Sequence, residues 1–272
     1  MSKRALVLGG GGVAGIAWTT GVLAALADGG VDVTGADRIV GTSAGSAVAA
    51  QVTSGRPLSE LLERQVDPAL QTLELPSGVR VEEMWAKLME VYESTSDPVE
   101  QRRKIGALAL AADTISEARR REVIEARLPV HEWPRRDLVI VAVEAVSGET
   151  RLFDPGSGVE LVDAVAASCA VPGVWPCVTI DGVRYMDGGV RTSTNSDLAA
   201  GFDRVLVLAP MPDVGEPSWA ALDGRVEVIG PDADSLAAFG IDPLDPAVRT
   251  PSARAGYAQG RGAVAQVAAL WE

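Results

Sequence analysis

Ser43 and Asp187 are the two residues of this chain that could act together as a nucleophile and a base. Ser43 lies in Gly41-Thr42-Ser43-Ala44-Gly45, a Gly-x-Ser-x-Gly pattern that follows a short apolar segment and precedes small, helix-compatible residues. Glycines two positions away on either side avoid clashes at a sharp strand-to-helix turn, and the following helix directs its N-terminus at the serine hydroxyl. The pattern predicts a nucleophile elbow, although such turns also occur without any function.

A serine hydroxyl needs a base to remove its proton, and the chain offers few candidates. Its one histidine, His131, precedes a predicted strand at the end expected to be far from Ser43, which favours a surface histidine over a Ser-His-Asp triad. Asp187 is the better candidate, because it follows a predicted strand and precedes Gly188 and Gly189, which allow a tight turn. A carboxylate bonded directly to the hydroxyl can take its proton during attack, whereas many aspartates in such turns only form the turn.

A second glycine-rich segment, residues 9–15, follows a short apolar strand and precedes a predicted helix. This arrangement exposes backbone N–H groups at a helix N-terminus, where they can bind an anion or an oxyanion. Gly10, Gly12 and Gly15 also fit the dinucleotide-binding pattern, but the second predicted strand runs into Gly41 where that fold needs an acidic residue for ribose. A phosphate-binding loop is disfavoured, because no Gly-Lys-Ser/Thr sequence follows.

The amino-acid composition argues against some classes of function. The 272 residues are enough for one large α/β domain, and the 24 basic and 37 acidic residues give a net charge of −13. That charge argues against nucleic-acid partners and against attraction to anionic membranes, so a transient membrane contact would depend on apolar surface. Cys169 and Cys177 are too few for a disulfide framework, which predicts two small buried thiols in a cytoplasmic protein.

The N-terminal segment must be distinguished from a signal peptide. Lys3 and Arg4 precede an apolar stretch that ends in an Ala-x-Ala-like site, but four consecutive glycines at 9–12 would break the apolar helix of such a signal. We therefore expect this segment to belong to the fold. Since no other stretch reaches 18 consecutive apolar residues, the sequence predicts no membrane span.

Apolar patterning predicts alternating strands and helices. The predicted strands cover 5–8, 37–40, 137–145, 151–153, 178–180, 183–186, 204–209 and 225–229, and the predicted helices cover 16–27, 46–53, 57–65, 81–93, 116–128, 159–169 and 246–271, with one more starting near Pro98. We expect 56–128 to cover the sheet edge and the pocket mouth. Met84, Trp85, Leu88 and Met89 suit an acyl pocket or a core face, and core is favoured. The run 119–121, three arginines, is predicted to be a solvated helix face.

Three segments together resemble the patatin-like phospholipase family, which includes bacterial and plant lipid acyl hydrolases. They are Gly10 to Gly15 after a strand, Gly41 to Gly45, and Ala-Ser-Cys-Ala-Val-Pro-Gly-Val-Trp-Pro at 167–176 leading to Asp187-Gly188-Gly189. Their order and spacing match over residues 4–209. The resemblance implies a three-layer α/β/α fold with a mostly parallel central sheet, as one domain over 1–272 with a variable helical insert at about 56–128.

The resemblance also assigns roles. It implies that Ser43 is the nucleophile, that Asp187 is the base, and that the N–H groups of Gly11 and Gly12 form an oxyanion hole. The expected activity is hydrolysis of lipid or other acyl esters through an acyl-serine, with no metal or organic cofactor. Ala14 stands where the family usually has Arg or Lys, which makes a neutral ester, a thioester or a lysolipid relatively more favoured than a phospholipid. An acyltransferase and a non-catalytic acyl-chain binder stay open as alternatives.

Overall fold

A mixed sheet lies at the centre of the fold in the computed structural model, which describes residues 2–79 and 81–272. The eight strands of the described residues are β1 (Arg4–Leu8), β2 (Arg38–Thr42), β3 (Asp137–Glu144), β4 (Thr150–Phe153), β5 (Val178–Ile180), β6 (Val183–Asp187), β7 (Arg204–Leu208) and β8 (Arg225–Ile229). Seven of them follow the order β5-β6-β3-β2-β1-β7-β8, and β4 pairs with β3.

The parallel part of the sheet comprises β3, β2, β1, β7 and β8, whereas β4 and β6 run antiparallel to β3, and β5 to β6. Parallel strands are buried on both faces, so their sequences read as continuous apolar runs. In β1, for example, all four residues from Ala5 to Leu8 are fully buried. This is why short apolar runs were enough to predict the central strands.

Helices cover the sheet. Among the described residues they are α1 (Gly12–Asp28), α2 (Ala44–Val52), α3 (Leu58–Val66), α4 (Val81–Ser94), α5 (Pro98–Ala111), α6 (Glu117–Arg127), α7 (Leu161–Ser168), α8 (Ala233–Phe239) and α9 (Arg249–Trp271). On one face, α1, α2, α7 and α9 contribute to a single large apolar core. On the other, α4 and α5 cover one part, and short 3₁₀ turns with their flanking loops cover the rest. The predicted α/β fold is confirmed.

Two differences from the sequence prediction concern the C-terminal part. The short helix α8 was not predicted, since its seven residues are too few to show a clear apolar period. The last helix begins at Arg249, and the residues before it form a 3₁₀ turn, Pro246–Val248. The N-terminal segment forms β1 and α1, both within the core. Of the helices in the described residues, none combines the length and apolarity required to cross a bilayer.

Candidate active site

Ser43 lies at the turn between β2 and α2, with φ of 51° and ψ of −119°. A positive φ is uncommon for a residue with a side chain, and it persists only where the surroundings hold it. The carbonyl oxygen of Ser43 accepts hydrogen bonds from the Ser46 amide at 2.9 Å and the Ser46 hydroxyl at 2.6 Å. Its amide donates to Ser168 Oγ at 2.9 Å, and Cys169 Sγ donates to its carbonyl at 3.2 Å. The backbone of the turn is therefore fixed from both sides.

The two glycines of the pattern allow the backbone to pack closely around this turn. A Cβ atom at Gly45 would lie 1.9 Å from the carbonyl oxygen of Leu8, at the end of β1. A Cβ at Gly41 would lie 2.7 Å from the Cα of Ser46. Both contacts are with backbone, which cannot move aside as a flexible side chain could. The elbow thus needs glycine at both positions for steric reasons.

Asp187 reaches Ser43 because two strands meet end to end along one edge of β3. The parallel pairing of β2 with β3 ends at Thr42 opposite Val141, and the antiparallel pairing of β6 begins with Asp187 opposite Ala142. Since β4 pairs with the same part of β3 and must occupy its other edge, β2 and β6 share an edge. The strand that leads into Ser43 and the strand that ends in Asp187 therefore converge, and Ser43 Oγ donates to Asp187 Oδ2 at 2.7 Å.

The Asp187 carboxyl group is buried, and burial raises its pKa from 3.8 to about 7. The hydrogen bonds from the Ser43 hydroxyl and the Gly189 amide favour the charged form and oppose that increase only in part. The Gly189 amide donates to Oδ1 at 2.7 Å, which leaves Oδ2 directed at the serine. Gly188 completes the turn, and a Cβ there would lie 2.2 Å from the carbonyl oxygen of Val141. The carboxylate is thus held in a fixed orientation.

The glycine loop runs beside the serine. A Cβ built on Gly10 would lie 3.5 Å from the Ser43 Cβ, and the Gly10 amide donates to Ser193 O at 2.8 Å. Gly11 precedes the first residue of α1, Gly12, whose φ is 64°. Within residues 2–79 and 81–272, neither of these two amides has a protein acceptor. A Cβ built on Gly15 would lie 3.5 Å from the Ala44 Cβ, so the first turns of α1 and α2 lie side by side.

An apolar cleft opens above the Ser43–Asp187 pair, with a volume of about 850 Å³ including the part open to solvent. Of the four residues predicted to favour the core, only Leu88 packs there, against the apolar cluster that contains Val143 and Met186 of the sheet. Met84, Trp85 and Leu88 are half-buried and line the cleft, whereas Met89 is 44% exposed and does not. Besides Met84, Trp85 and Leu88, the side chains that line most of the cleft are those of Tyr92, Ile105, Val171, Val190, Met211, Val214 and Leu244.

A second, smaller cavity also touches Ser43, and Arg120 and Arg127 line it together with Glu74. The prediction of a solvated face at 119–121 is wrong for its middle residue, because α6 turns Arg120 inward. The Arg120 side chain is buried, donates to Glu74 at 2.6 Å, and stacks its guanidinium 3.8 Å from the centre of the Trp175 ring. Ala14, also buried, has no charge to contribute here.

The other chemically notable residues lie as expected. The His131 ring is 48% exposed and interacts with Glu125, which agrees with the predicted surface position. Cys169 and Cys177 are free and buried. Sequence reasoning did not assign a role to Ser168, although its place in the segment 167–176 could have suggested one. Glu74 and Arg127 had no recognisable sequence signal.

Comparison with known proteins identifies the family of this chain. The sequence profile of the patatin-like phospholipase family matches residues 6–200, well over half of the chain. The chain belongs to this family. It is accordingly a hydrolase of a family that acts on lipid substrates.

Two solved structures match this chain in the structural comparison. VipD from Legionella pneumophila has a TM-score of 0.50 and 14% sequence identity, and the match covers 97% of this chain and 67% of VipD. The type III effector protein ExoU has a TM-score of 0.42 and 18% identity, and the match covers 97% of this chain and 53% of ExoU. Comparison with curated protein sequences gives no match.

Proposed function

We propose that the protein is a serine acyl hydrolase in which Ser43 is the nucleophile and Asp187 the base. The observation that carries this proposal is the 2.7 Å hydrogen bond from Ser43 Oγ to Asp187 Oδ2 at the base of the apolar cleft. A hydroxyl that already donates to a buried carboxylate can transfer its proton as it attacks a carbonyl carbon. No histidine is required for that step.

The reaction proceeds in two stages. Ser43 Oγ attacks the ester carbonyl, Asp187 takes the hydroxyl proton, and the alcohol leaves after receiving that proton. Water then attacks the acyl-serine, Asp187 takes a proton from the water, and the carboxylic acid is released as Ser43 regains its hydrogen. The amides of Gly11 and Gly12 hold the oxyanion in both stages, and losing one such donor costs about 3 kcal/mol in known hydrolases.

The acyl chain occupies the apolar cleft. Its walls are mainly carbon, and they include Trp85, Leu88 and Met84 from α4. Lipid access to this cleft is favoured by exposed apolar residues at its rim. Val214 lines the cleft and is 59% exposed, and Ile241, close in sequence to another lining residue, is 85% exposed. We therefore include a transient contact with a lipid surface that depends on apolar side chains.

A fluorophosphonate probe tests this function directly, because it forms a covalent bond only with an activated serine. We expect wild-type protein to be labelled at Ser43, as located by mass spectrometry of the peptides, and Ser43→Ala to remain unlabelled. Ser59→Ala, at an exposed serine of α3, is the matched control and should label as wild type does. Folded wild-type protein that stays unlabelled, or equal labelling of Ser43→Ala, contradicts the proposal.

Product analysis separates hydrolysis from transfer of the acyl group. With an ester substrate alone, the free carboxylic acid should form at the same rate whether or not an alcohol or thiol acceptor is present. Acylation of the acceptor in preference to water would instead assign the protein as an acyltransferase.

A further inference from the structure

The reaction above does not use a group of four buried charged side chains, three of which line a cavity together with Ser43. We call Arg120, Arg127, Arg249 and Glu74 the arginine cluster. Each of the four is at most 7% exposed. Arg120 and Arg127 both donate to Glu74, and Arg249 donates to the carbonyl oxygen of Thr72 at 2.8 Å.

The charges in this cluster do not balance. Three guanidinium groups face one carboxylate, although the chain as a whole has a net charge of −13. Burial opposes ionisation of Glu74, but the guanidinium groups of Arg127 and Arg120 outweigh it and hold the pKa of Glu74 below its usual value. The carboxylate is therefore charged at neutral pH, and two positive charges still remain in excess. Buried charge without a partner is costly, which favours a further anion at this place.

Arg120 also has a donor that is not used. Within the described residues, the Arg120 Nε–H has no hydrogen-bond acceptor, although the side chain is buried and lines the cavity. Buried polar atoms are normally hydrogen-bonded, so an unpaired guanidinium donor in a cavity indicates an acceptor supplied from outside. A guanidinium fork fits the oxygen atoms of a phosphate or a carboxylate.

The location of the cluster connects it with the substrate. Its cavity and the apolar cleft share Gly12, Ser43, Val171 and Leu244, so both spaces reach Ser43. The charged side chains at these two spaces other than Asp187 are Arg120, Arg127 and Glu74, and all three line the smaller cavity. If the acyl chain lies in the apolar cleft, the alcohol part of the ester extends toward the arginines.

We propose that the arginine cluster is a subsite for a phosphate group on the alcohol part of the ester, and that Glu74 occupies this subsite in the free protein. The proposal rests on the acyl hydrolase function proposed above. Once Glu74 is displaced, the three positive charges match a phosphate dianion better than a single carboxylate. Displacement is feasible because Glu74 lies in 67–79, a segment without helix or strand.

The test compares two substrates that differ only in the phosphate, a short-chain 1-acyl lysophosphatidate and the 1-monoacylglycerol with the same acyl chain. The measured quantity is the ratio of their kcat/KM values, which does not depend on the fraction of protein that is folded. We expect a ratio of about ten or more for wild type, because hydrogen bonds to charged groups contribute about 1.5–3 kcal/mol. Arg120→Gln should lower the ratio about tenfold on the same basis.

Two further variants sharpen the result. Glu74→Gln removes the charge of the competing carboxylate and should raise the ratio above that of wild type. Arg119→Gln is the matched control, because Arg119 lies on the same helix, is half-exposed, and pairs only with Glu122 among the described residues. It should leave the ratio unchanged. A wild-type ratio near one, or a ratio that Arg120→Gln does not lower, overturns the proposal.

A binding measurement separates failure of the subsite from failure of the enzyme. Glycerol 3-phosphate and glycerol are titrated into Ser43→Ala by calorimetry, where no reaction is required. We expect glycerol 3-phosphate alone to bind, and Arg120→Gln in the same background to weaken binding about tenfold. Absence of binding overturns the subsite even if the probe labels Ser43. Binding with no labelling and no turnover keeps the subsite and rejects the hydrolase.

Discussion

In the proposed mechanism, the protonation state of Asp187 sets the pH range in which Ser43 is activated. Burial raises the pKa of this carboxyl to about 7, and only the charged form can accept the serine proton. We expect kcat/KM for a p-nitrophenyl ester to rise with pH through about 7 and then to level off. The profile is measured at the isosbestic wavelength of the released phenol. A rate that is constant from acid to alkaline pH would exclude Asp187 as the base.

Because it is buried, the charged Asp187 carboxylate should destabilise the folded state of the wild-type protein. The pKa of about 7 in the folded protein lies above the usual aspartate pKa of 3.8, so this group stabilises the fold fully only below the usual pKa. This contribution to stability is lost as pH rises through about 7. It is at most about 4 kcal/mol, because a shift of one pKa unit corresponds to about 1.36 kcal/mol. Asp187→Asn keeps the shape and removes the charge.

We therefore expect Asp187→Asn to be inactive yet more stable than wild type at pH 8, with a smaller difference at pH 4. Urea unfolding at both pH values gives the free energies of unfolding. An equal difference at the two pH values would mean that the buried carboxylate is not destabilised as its surroundings indicate. The correctly folded Asn variant also serves to show that loss of activity comes from chemistry.

Among the elements, the strands and the elbow could be predicted from sequence because their signals are local. Apolar runs predicted β1, β2, β3 and β7, and the glycines around Ser43 predicted the sharp turn. The meeting of β2 and β6 on one edge of β3 could not be derived in the same way, because pairing register is a tertiary property. Ser43 and Asp187 were associated by the family resemblance, and the strand geometry now provides the physical reason for their proximity.

The wrong predictions have a common cause. An apolar period shows which residues share a helix face, but not what that face meets. Met84, Trp85 and Leu88 do share a face that lines a cleft, and of these three only Leu88 also packs against the core. The arginine run at 119–121 indicated a solvated face, whereas Arg120 points inward because Glu74 and Trp175 provide partners. Neither partner is near Arg120 in sequence.

The α4 helix should determine preference for acyl-chain length. Because Trp85 lines the cleft, Trp85→Ala should lower kcat/KM for long-chain p-nitrophenyl esters at least about tenfold. Truncating a fully buried aromatic side chain costs about 3 kcal/mol, and the loss here should be smaller because Trp85 is partly exposed. Short-chain esters that do not reach α4 should be affected much less. Met89→Ala, on the exposed side of the same helix, is the control. Equal losses for short and long chains would show that α4 does not contact the acyl chain.

At the scale of the whole molecule, the part of the chain beyond the family match completes the core. The match ends at residue 200, yet β7 pairs with β1 along five residues, and α9 packs on α1. The helix α1 begins at the glycine loop beside Ser43, so its position affects the amides of Gly11 and Gly12. We infer from these contacts that residues on both sides of position 200 form one domain.

Two glycines allow α1 and α9 to pack with their backbones in close contact. A Cβ at Gly256 would lie 2.2 Å from the carbonyl oxygen of Trp18, and a Cβ at Gly21 would lie 2.3 Å from that of Ala253. Gly256→Ala must therefore separate the helices, and we expect a loss of about 3 kcal/mol in the free energy of unfolding. Gly262→Ala, on the same helix with open space around it, should instead stabilise by up to about 1 kcal/mol.

Denaturant unfolding of both variants measures these changes, and fluorophosphonate labelling at 25 °C reports on the active site under native conditions. Because α1 carries the glycine loop at its N-terminus, Gly256→Ala should also slow labelling of Ser43, whereas Gly262→Ala should not. If Gly256→Ala has the same free energy of unfolding and the same rate of Ser43 labelling as Gly262→Ala, α9 would be a peripheral helix. The packing of α9 would then have no part in positioning the amides of Gly11 and Gly12.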